Sequence, residues 1–149
     1  MTKIISEPEI LSQYKDCTLT YGHFDLVHPG HIRFLRNASN QGNKLVVALM
    51  PDKRRGESLN FQFNQLERAE GLSSFDFVNG IIMLKDENFP LKNCIKDIYP
   101  SLLLLGTEYE HSKEEEILKA IKLMRRLGKR IQFHGGEIQY ASTKLLENP

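Results

Sequence analysis

Five short apolar runs punctuate this chain, and stretches with helical spacing separate them: CTLTY (17–21), KLVVALM (44–50), FVNGIIML (77–84), SLLLLG (101–106) and RIQFH (130–134). Strands that alternate with helices in this way predict a parallel sheet of five strands covered by helices on both faces, an α/β fold. The second and fourth runs are continuous rather than alternating, as expected of central strands buried on both sides. Between the runs, Leu91, Ile95 and Ile98, and again Ile117, Ile121 and Met124, mark one apolar face per helix. Ser6 and Glu9 form a capping box that predicts a helix over 7–15, ahead of the sheet. At 149 residues the chain suits one domain, 1–149, able to bury about two thirds of its unfolded surface.

Composition excludes several classes. Apolar residues make up 40% and charged residues 26% of the chain, with a net charge of +1, which is neither a disordered composition nor a basic one suited to nucleic acid. No apolar stretch approaches the roughly 20 residues of a membrane helix, and MTKIISEPE lacks a signal pattern, so a cytoplasmic protein without membrane partners is expected. Cys17 and Cys94 fit no metal spacing and read as buried hydrophobes. The acidic run at 113–116 complements a helix dipole, with Glu115 placed to pair with Lys119, and reads as a solvated face. The segment MPDKRRGESLNFQFN (50–64) differs, being basic and placed just after a strand, where open α/β sheets bind ligands.

The stretch TYGHFDLVHPGHIRFL (20–35) carries chemistry. A strand ends near Tyr21, Gly22 permits a tight turn, and Pro29 with Gly30 opens a helix. His28 and His31 lie three apart at that helix start, near exposed amides and the positive end of the dipole, which suits an anion and above all phosphate. A transferring phosphoryl group needs donors and positive charge on its oxygens more than it needs a protein nucleophile. A zinc site from His23, His28 and His31 lacks the Cys or carboxylate that would complete it, so no metal ligands are expected. Asp25 reads chiefly as a residue that fixes the turn. His111 and His134 are isolated and read as structural.

Gly22, Phe24, Asp25, His28, Gly30 and His31 match the pattern GxFDxxHxGH, the first motif of the cytidylyltransferase-like nucleotidylyltransferases, a family that includes glycerol-3-phosphate cytidylyltransferases and ADP-heptose synthases. The similarity extends over nearly the whole chain. MPDKRRGES resembles the family's loop after the second strand, QLERAEGLSSFDFV its ERxxxL segment, LLLLGTEYE its KGxxY/W segment, and ASTKLL (141–146) its closing Ser/Thr motif. GTEYE and GGEIQYASTKLL look most like domains that are often joined to a sugar kinase. Leu105 stands where many members have Lys, and Tyr140 where many have Gly, which leaves the base and the acceptor open.

The resemblance implies a Rossmann-like domain that moves a nucleotidyl group from a nucleoside triphosphate to a small phosphorylated alcohol or sugar and releases pyrophosphate. His28, His31 and Arg68 form the implied catalytic set. Tyr21, Gly22, His23, Phe24, Gly30, Gly106, Glu108, Tyr109, Ser142 and Thr143 would hold the nucleotide, with Asp25, Asp52, Lys53, Arg54 and Arg55 toward the acceptor. Mg²⁺ would arrive with the triphosphate. CTP is the first expectation and ATP on a sugar phosphate the alternative, with a non-catalytic nucleotide-binding regulatory module as a third reading. A homodimer is expected, since similar enzymes are commonly dimers, and so is a fusion or partnership with a sugar kinase.

Overall fold

The computed structural model describes residues 3–5, 13–86 and 89–133. In chain order the elements are β1 (Lys3–Ile5), β2 (Thr18–Gly22), α1 (Pro29–Ser39), β3 (Leu45–Leu49), β4 (Lys53–Arg54), β5 (Glu57–Ser58), α2 (Gln65–Ser73), β6 (Gly80–Met83), α3 (Leu91–Ile98), β7 (Leu102–Leu104), α4 (Glu115–Arg126) and β8 (Arg130–Gln132). Six strands form one parallel sheet in the order β1-β6-β3-β2-β7-β8, while β4 and β5 make a separate antiparallel hairpin.

Strand β3 shows why both faces must be covered. Leu45, Val47 and Leu49 pack with Leu35 and Ala38 of α1 and Ala69 and Leu72 of α2. Val46 and Ala48 face the opposite layer, with Cys94, Ile95 and Ile98 of α3 and Ile117, Ala120 and Met124 of α4. The apolar faces expected of those two helices therefore lie in the core, and Leu105 lies there too. Cys17 and Cys94 are both buried and free.

All five expected strands are present. The sixth, β1, pairs with β6 from Lys3↔Gly80 to Ile5↔Ile82; three residues are too few to carry a periodic signal. Of the helix expected over 7–15, positions 7–12 lie outside the described residues. Gln13 and Tyr14 form a 3-10 turn, and Asp16 follows with φ 64°, so an α-helix does not continue to residue 15. Within the described residues no helix is long and apolar enough to cross a membrane.

The sheet grows outward from β2 through β3 and β6, then returns to place β7 on the other side of β2. That reversal opens a crevice beyond the carboxyl ends of β2 and β7, the position where such sheets bind ligands.

Candidate active site

Strand β2 delivers the chain into the crevice at Gly22. A Cβ there would lie 2.9 Å from the Phe24 ring, so only glycine lets that ring fold back under the turn. Phe24 is itself left-handed at φ 48°, which costs about 1–2 kcal/mol for such a residue, and its buried ring meets His31 edge-on at 5.4 Å. Pro29 then starts α1 with His28 as N-cap. His28 Nδ1 accepts the N–H groups of Gly30 at 3.0 Å and His31 at 3.3 Å, and His31 Nδ1 accepts the N–H of His28 at 3.2 Å.

Those bonds settle the chemistry of the pair. Each Nδ1 is an acceptor, so each neutral ring carries its proton on Nε2. The rings stack at 3.8 Å, a separation at which two imidazolium charges would repel strongly. Burial first, then His28 and His23, push His31 down to about 4. Burial also lowers His28, against the opposing pull of Glu108. Near neutral pH the two histidines thus offer N–H donors rather than full charges. His28 Nε2 is buried and meets no partner among the described residues.

His23 extends the donor set. Its Nδ1 accepts the Asp25 N–H at 3.2 Å, and its ring stacks on Phe61 at 5.2 Å. Phe61 in turn lies under the Arg68 guanidinium at 4.5 Å. Arg68 is 2% exposed and donates to the His23 carbonyl at 2.8 Å, the Phe63 carbonyl at 3.0 Å and Asp52 Oδ1 at 2.9 Å. Arg68 thereby clamps three segments of the site together, with Asp52 as its ion-pair partner. Asp25 accepts the N–H groups of Gln62 at 2.8 Å and Phe63 at 2.9 Å, so both its oxygens tie the site loop to the segment before α2.

The opposite wall follows β7. Gly106 leads into a 3-10 turn, Thr107–Tyr109, and the Glu108 carboxylate folds back over Gly106 where any Cβ would collide with it. Burial lowers both His23 and His28, and Glu108 lies close enough to oppose that shift. Tyr109 meets Tyr21 with ring centroids 5.7 Å apart, and burial holds both phenols above their ordinary values. The β7 turn at Glu108 therefore lies beside His23 and His28 of the β2–α1 loop, and Tyr109 packs on the buried Tyr21.

The basic loop takes a different course. Lys53 and Arg54 form β4, and Arg55 and Gly56, with φ 53° and 79°, turn the hairpin. Arg54 pairs with Glu116 at 3.0 Å and Glu114 at 3.5 Å and donates to the Tyr21 hydroxyl at 2.8 Å. Arg55 pairs with Glu115 at 2.6 Å, and its N–H bonds Asp86. The acidic run at 113–116 is accordingly a docking face for the hairpin, and Glu115 also makes the expected pair with Lys119 at 2.8 Å. Lys53 is exposed. Ser142, Thr143 and Tyr140 lie outside the described residues.

Two contributors carried no sequence signal. Phe61, which joins His23 to Arg68, is one aromatic in an aperiodic loop. Glu116 accepts the Tyr21 hydroxyl at 3.1 Å and the Leu91 N–H at 2.8 Å, yet it is indistinguishable by spacing from its acidic neighbours.

A half-buried pair of imidazole donors is thus fixed at a helix start on the switch point of a parallel sheet. This chain belongs to the Cytidylyltransferase-like family of nucleotidyltransferase enzymes, whose model matches residues 19–147. Among curated proteins it is 36% identical over 124 residues to the bifunctional protein HldE of Campylobacter curvus, covering 78% of this chain and 26% of that one. It is 33% identical over 127 residues to HldE of Histophilus somni, covering 81% and 23%. The chain thus spans about a quarter of the length of these relatives. Its fold is shared with a lipopolysaccharide core biosynthesis protein from Thermoplasma volcanium (TM-score 0.61, 22% identity, 83% of this chain and 97% of that one). It is also shared with pantothenate synthetase from Thermus thermophilus (TM-score 0.57, 13% identity, 87% and 60%).

Proposed function

We propose that this chain transfers an adenylyl group from ATP to the phosphate of a small phosphorylated sugar. An acceptor phosphate oxygen forms a bond to the α-phosphorus, the bond from that phosphorus to its bridging oxygen breaks, and pyrophosphate leaves with the electron pair. The observation that carries this is the His28–His31 pair, whose Nε2 protons are fixed by reciprocal capping before any ligand arrives. Donors held in place need no reorganisation as charge develops on the phosphate oxygens. Mg²⁺ carried by the triphosphate would supply charge neutralisation for the leaving pyrophosphate.

ATP is favoured over CTP because the curated relatives are HldE proteins, and the chain's wording resembles the ADP-heptose synthases. CTP keeps one specific support, the six-position motif around Gly22 to His31 shared with glycerol-3-phosphate cytidylyltransferases. The relatives are named as bifunctional, which fits a partnership with a sugar kinase whose product would be the acceptor. Pyrophosphate release with ATP and CTP, each against glucose 1-phosphate, mannose 1-phosphate and glycerol 3-phosphate, tests the reading. Turnover with ATP and a sugar phosphate is expected. Turnover with CTP alone selects the cytidylyl reading, and nucleotide binding without turnover leaves a regulatory module.

A further inference from the structure

Position 23 is the unspecified place in the pattern GxFDxxHxGH, and this chain fills it with a third imidazole. The structure holds that residue at three points. Arg68 Nη1 donates to the His23 carbonyl at 2.8 Å, the Asp25 N–H bonds its Nδ1 at 3.2 Å, and its ring stacks on Phe61 with centroids 5.2 Å and planes 26° apart. The Phe61 ring also carries the Arg68 guanidinium, 4.5 Å from its centroid. The next two residues complete the join: the N–H groups of Gln62 and Phe63 donate to Asp25, and the Phe63 carbonyl accepts from Arg68 Nε. Residues 61–63 thus brace residues 23–25.

The ring contact does what the two hydrogen bonds cannot do alone. The torsion that turns an imidazole on its Cβ has broad, two-fold wells, so a bond at the carbonyl leaves the ring free to rotate. The Nδ1 bond is at the long end of the ordinary range and needs a second restraint. A flat aromatic face supplies it by contact. With Nδ1 an acceptor, the proton of the neutral ring lies on Nε2, and the setting of the ring decides where that donor points. Burial first, joined by Arg68, lowers His23 against the pull of Asp25 and Glu108, so near neutral pH the residue acts by a directed N–H rather than by charge. It also helps to lower His31, which sets it beside the histidine pair. A neutral donor contributes only when it is aimed before the ligand arrives.

We infer that Phe61 is a positioning residue: its ring, backed by Arg68, sets the His23 imidazole so that Nε2–H serves as a third fixed donor to a bound polyphosphate. The inference rests on the proposed reaction only for the class of ligand, and its test is binding and spectroscopy rather than turnover. Inorganic tripolyphosphate and ATP are titrated by calorimetry into the full chain and into Phe61→Leu, Phe61→Tyr, His23→Ala and the double variant Phe61→Leu/His23→Ala. Tyrosine keeps the aromatic face, whereas leucine keeps only apolar bulk. Phe61→Leu should weaken tripolyphosphate binding by about tenfold, the loss of one charge-assisted hydrogen bond, and Phe61→Tyr should stay within about twofold of the parent. In a His23→Ala background, itself weakened to a similar degree, Phe61→Leu should add less than about twofold, because residues that act as a unit are not additive. Imidazole nitrogen NMR shifts should show His23 as one Nε2–H tautomer in the parent and as a mixture in Phe61→Leu, with His28 and His31 unchanged as the control for folding. Additive losses in the double variant, parental binding in Phe61→Leu, an equal loss in Phe61→Tyr, or a single His23 tautomer that survives removal of the ring each overturns the inference. A parent that binds neither tripolyphosphate nor ATP overturns it too. The expected binding pattern with no pyrophosphate release under any pairing sinks the transfer reading and leaves the role of Phe61 standing.

Discussion

His28 and His31 cap one another: each Nδ1 accepts the other's backbone N–H, at 3.3 Å from His31 to His28 and 3.2 Å in the reverse direction. One interaction thereby starts α1, fixes both tautomers and directs both Nε2–H groups away from the helix end. The structural role and the chemical role share the same ring but use different nitrogens, so they can be separated by substitution.

Asparagine caps helices as well as any residue but cannot place a donor where Nε2 stands. His28→Asn should lower kcat by about 10²–10³, the usual loss for one preorganised donor. Its melting temperature should remain close to that of the parent. His28→Ala should show the same kinetic loss and an additional destabilisation of about 1 kcal/mol from the missing cap. Near-parental turnover in His28→Asn, measured by pyrophosphate release, would remove His28 from the chemistry.

The neutral state of His31 has a signature in pH. Its ordinary value of 6.5 falls to about 4 in the folded chain, chiefly through burial. Between those values the unfolded chain binds a proton that the folded chain refuses, so stability must fall as pH drops through that window. The contribution is present above pH 6.5 and lost toward pH 4. His31→Asn keeps an acceptor for the His28 N–H but cannot titrate. The melting temperature of the parent should therefore fall more steeply than that of the variant across the window. Parallel curves would show that His31 does not hold the depressed value.

Arg68 and Arg55 are both arginines with carboxylate partners, yet they should differ in weight. Arg68 is enclosed and bonds two carbonyls besides Asp52. Arg68→Met strands those groups, at about 2–4 kcal/mol by urea unfolding. Arg55 and Glu115 have exposed side chains, so Arg55→Ala should cost about 0.5 kcal/mol or less. Equal costs would mean that the clamp on the His23 carbonyl is not what holds the site loop.

The contrast between those arginines also marks how far the sequence could be read. The β2–α1 junction was legible because its determinants are local: a glycine under Phe24, a proline at the first helical position and two histidines one turn apart. The sheet was legible because β3 and β7 are short apolar runs between amphipathic stretches. The resemblance places Arg54 and Arg55 toward the acceptor, whereas their ion-pair partners lie about 60 residues away on and beside the start of α4, and no local pattern encodes that pairing. Arg68 illustrates the same limit. Its place in the site comes from the resemblance, and no local pattern encodes the closure of the loops carrying His23, Asp52 and Phe63 over it.

Glu108 offers a test of the crevice as one electrostatic unit. Its carboxylate, folded over Gly106 on the β7 side, favours the charged forms of His23 and His28 on the β2 side. Burial lowers both imidazoles and Glu108 opposes that shift, so removing the carboxylate should lower them further. Glu108→Gln preserves shape and hydrogen-bonding capacity while deleting the charge. Histidine titrations followed by NMR should show the midpoints of His23 and His28 moving to lower pH in the variant. His31, whose depression is set by burial and by the two other histidines and not by Glu108, should not move down with them. Unmoved midpoints for His23 and His28 would separate the β7 turn from the histidine loop and leave Glu108 outside the crevice; a matching shift in all three would indicate a change of packing instead of the loss of one charge.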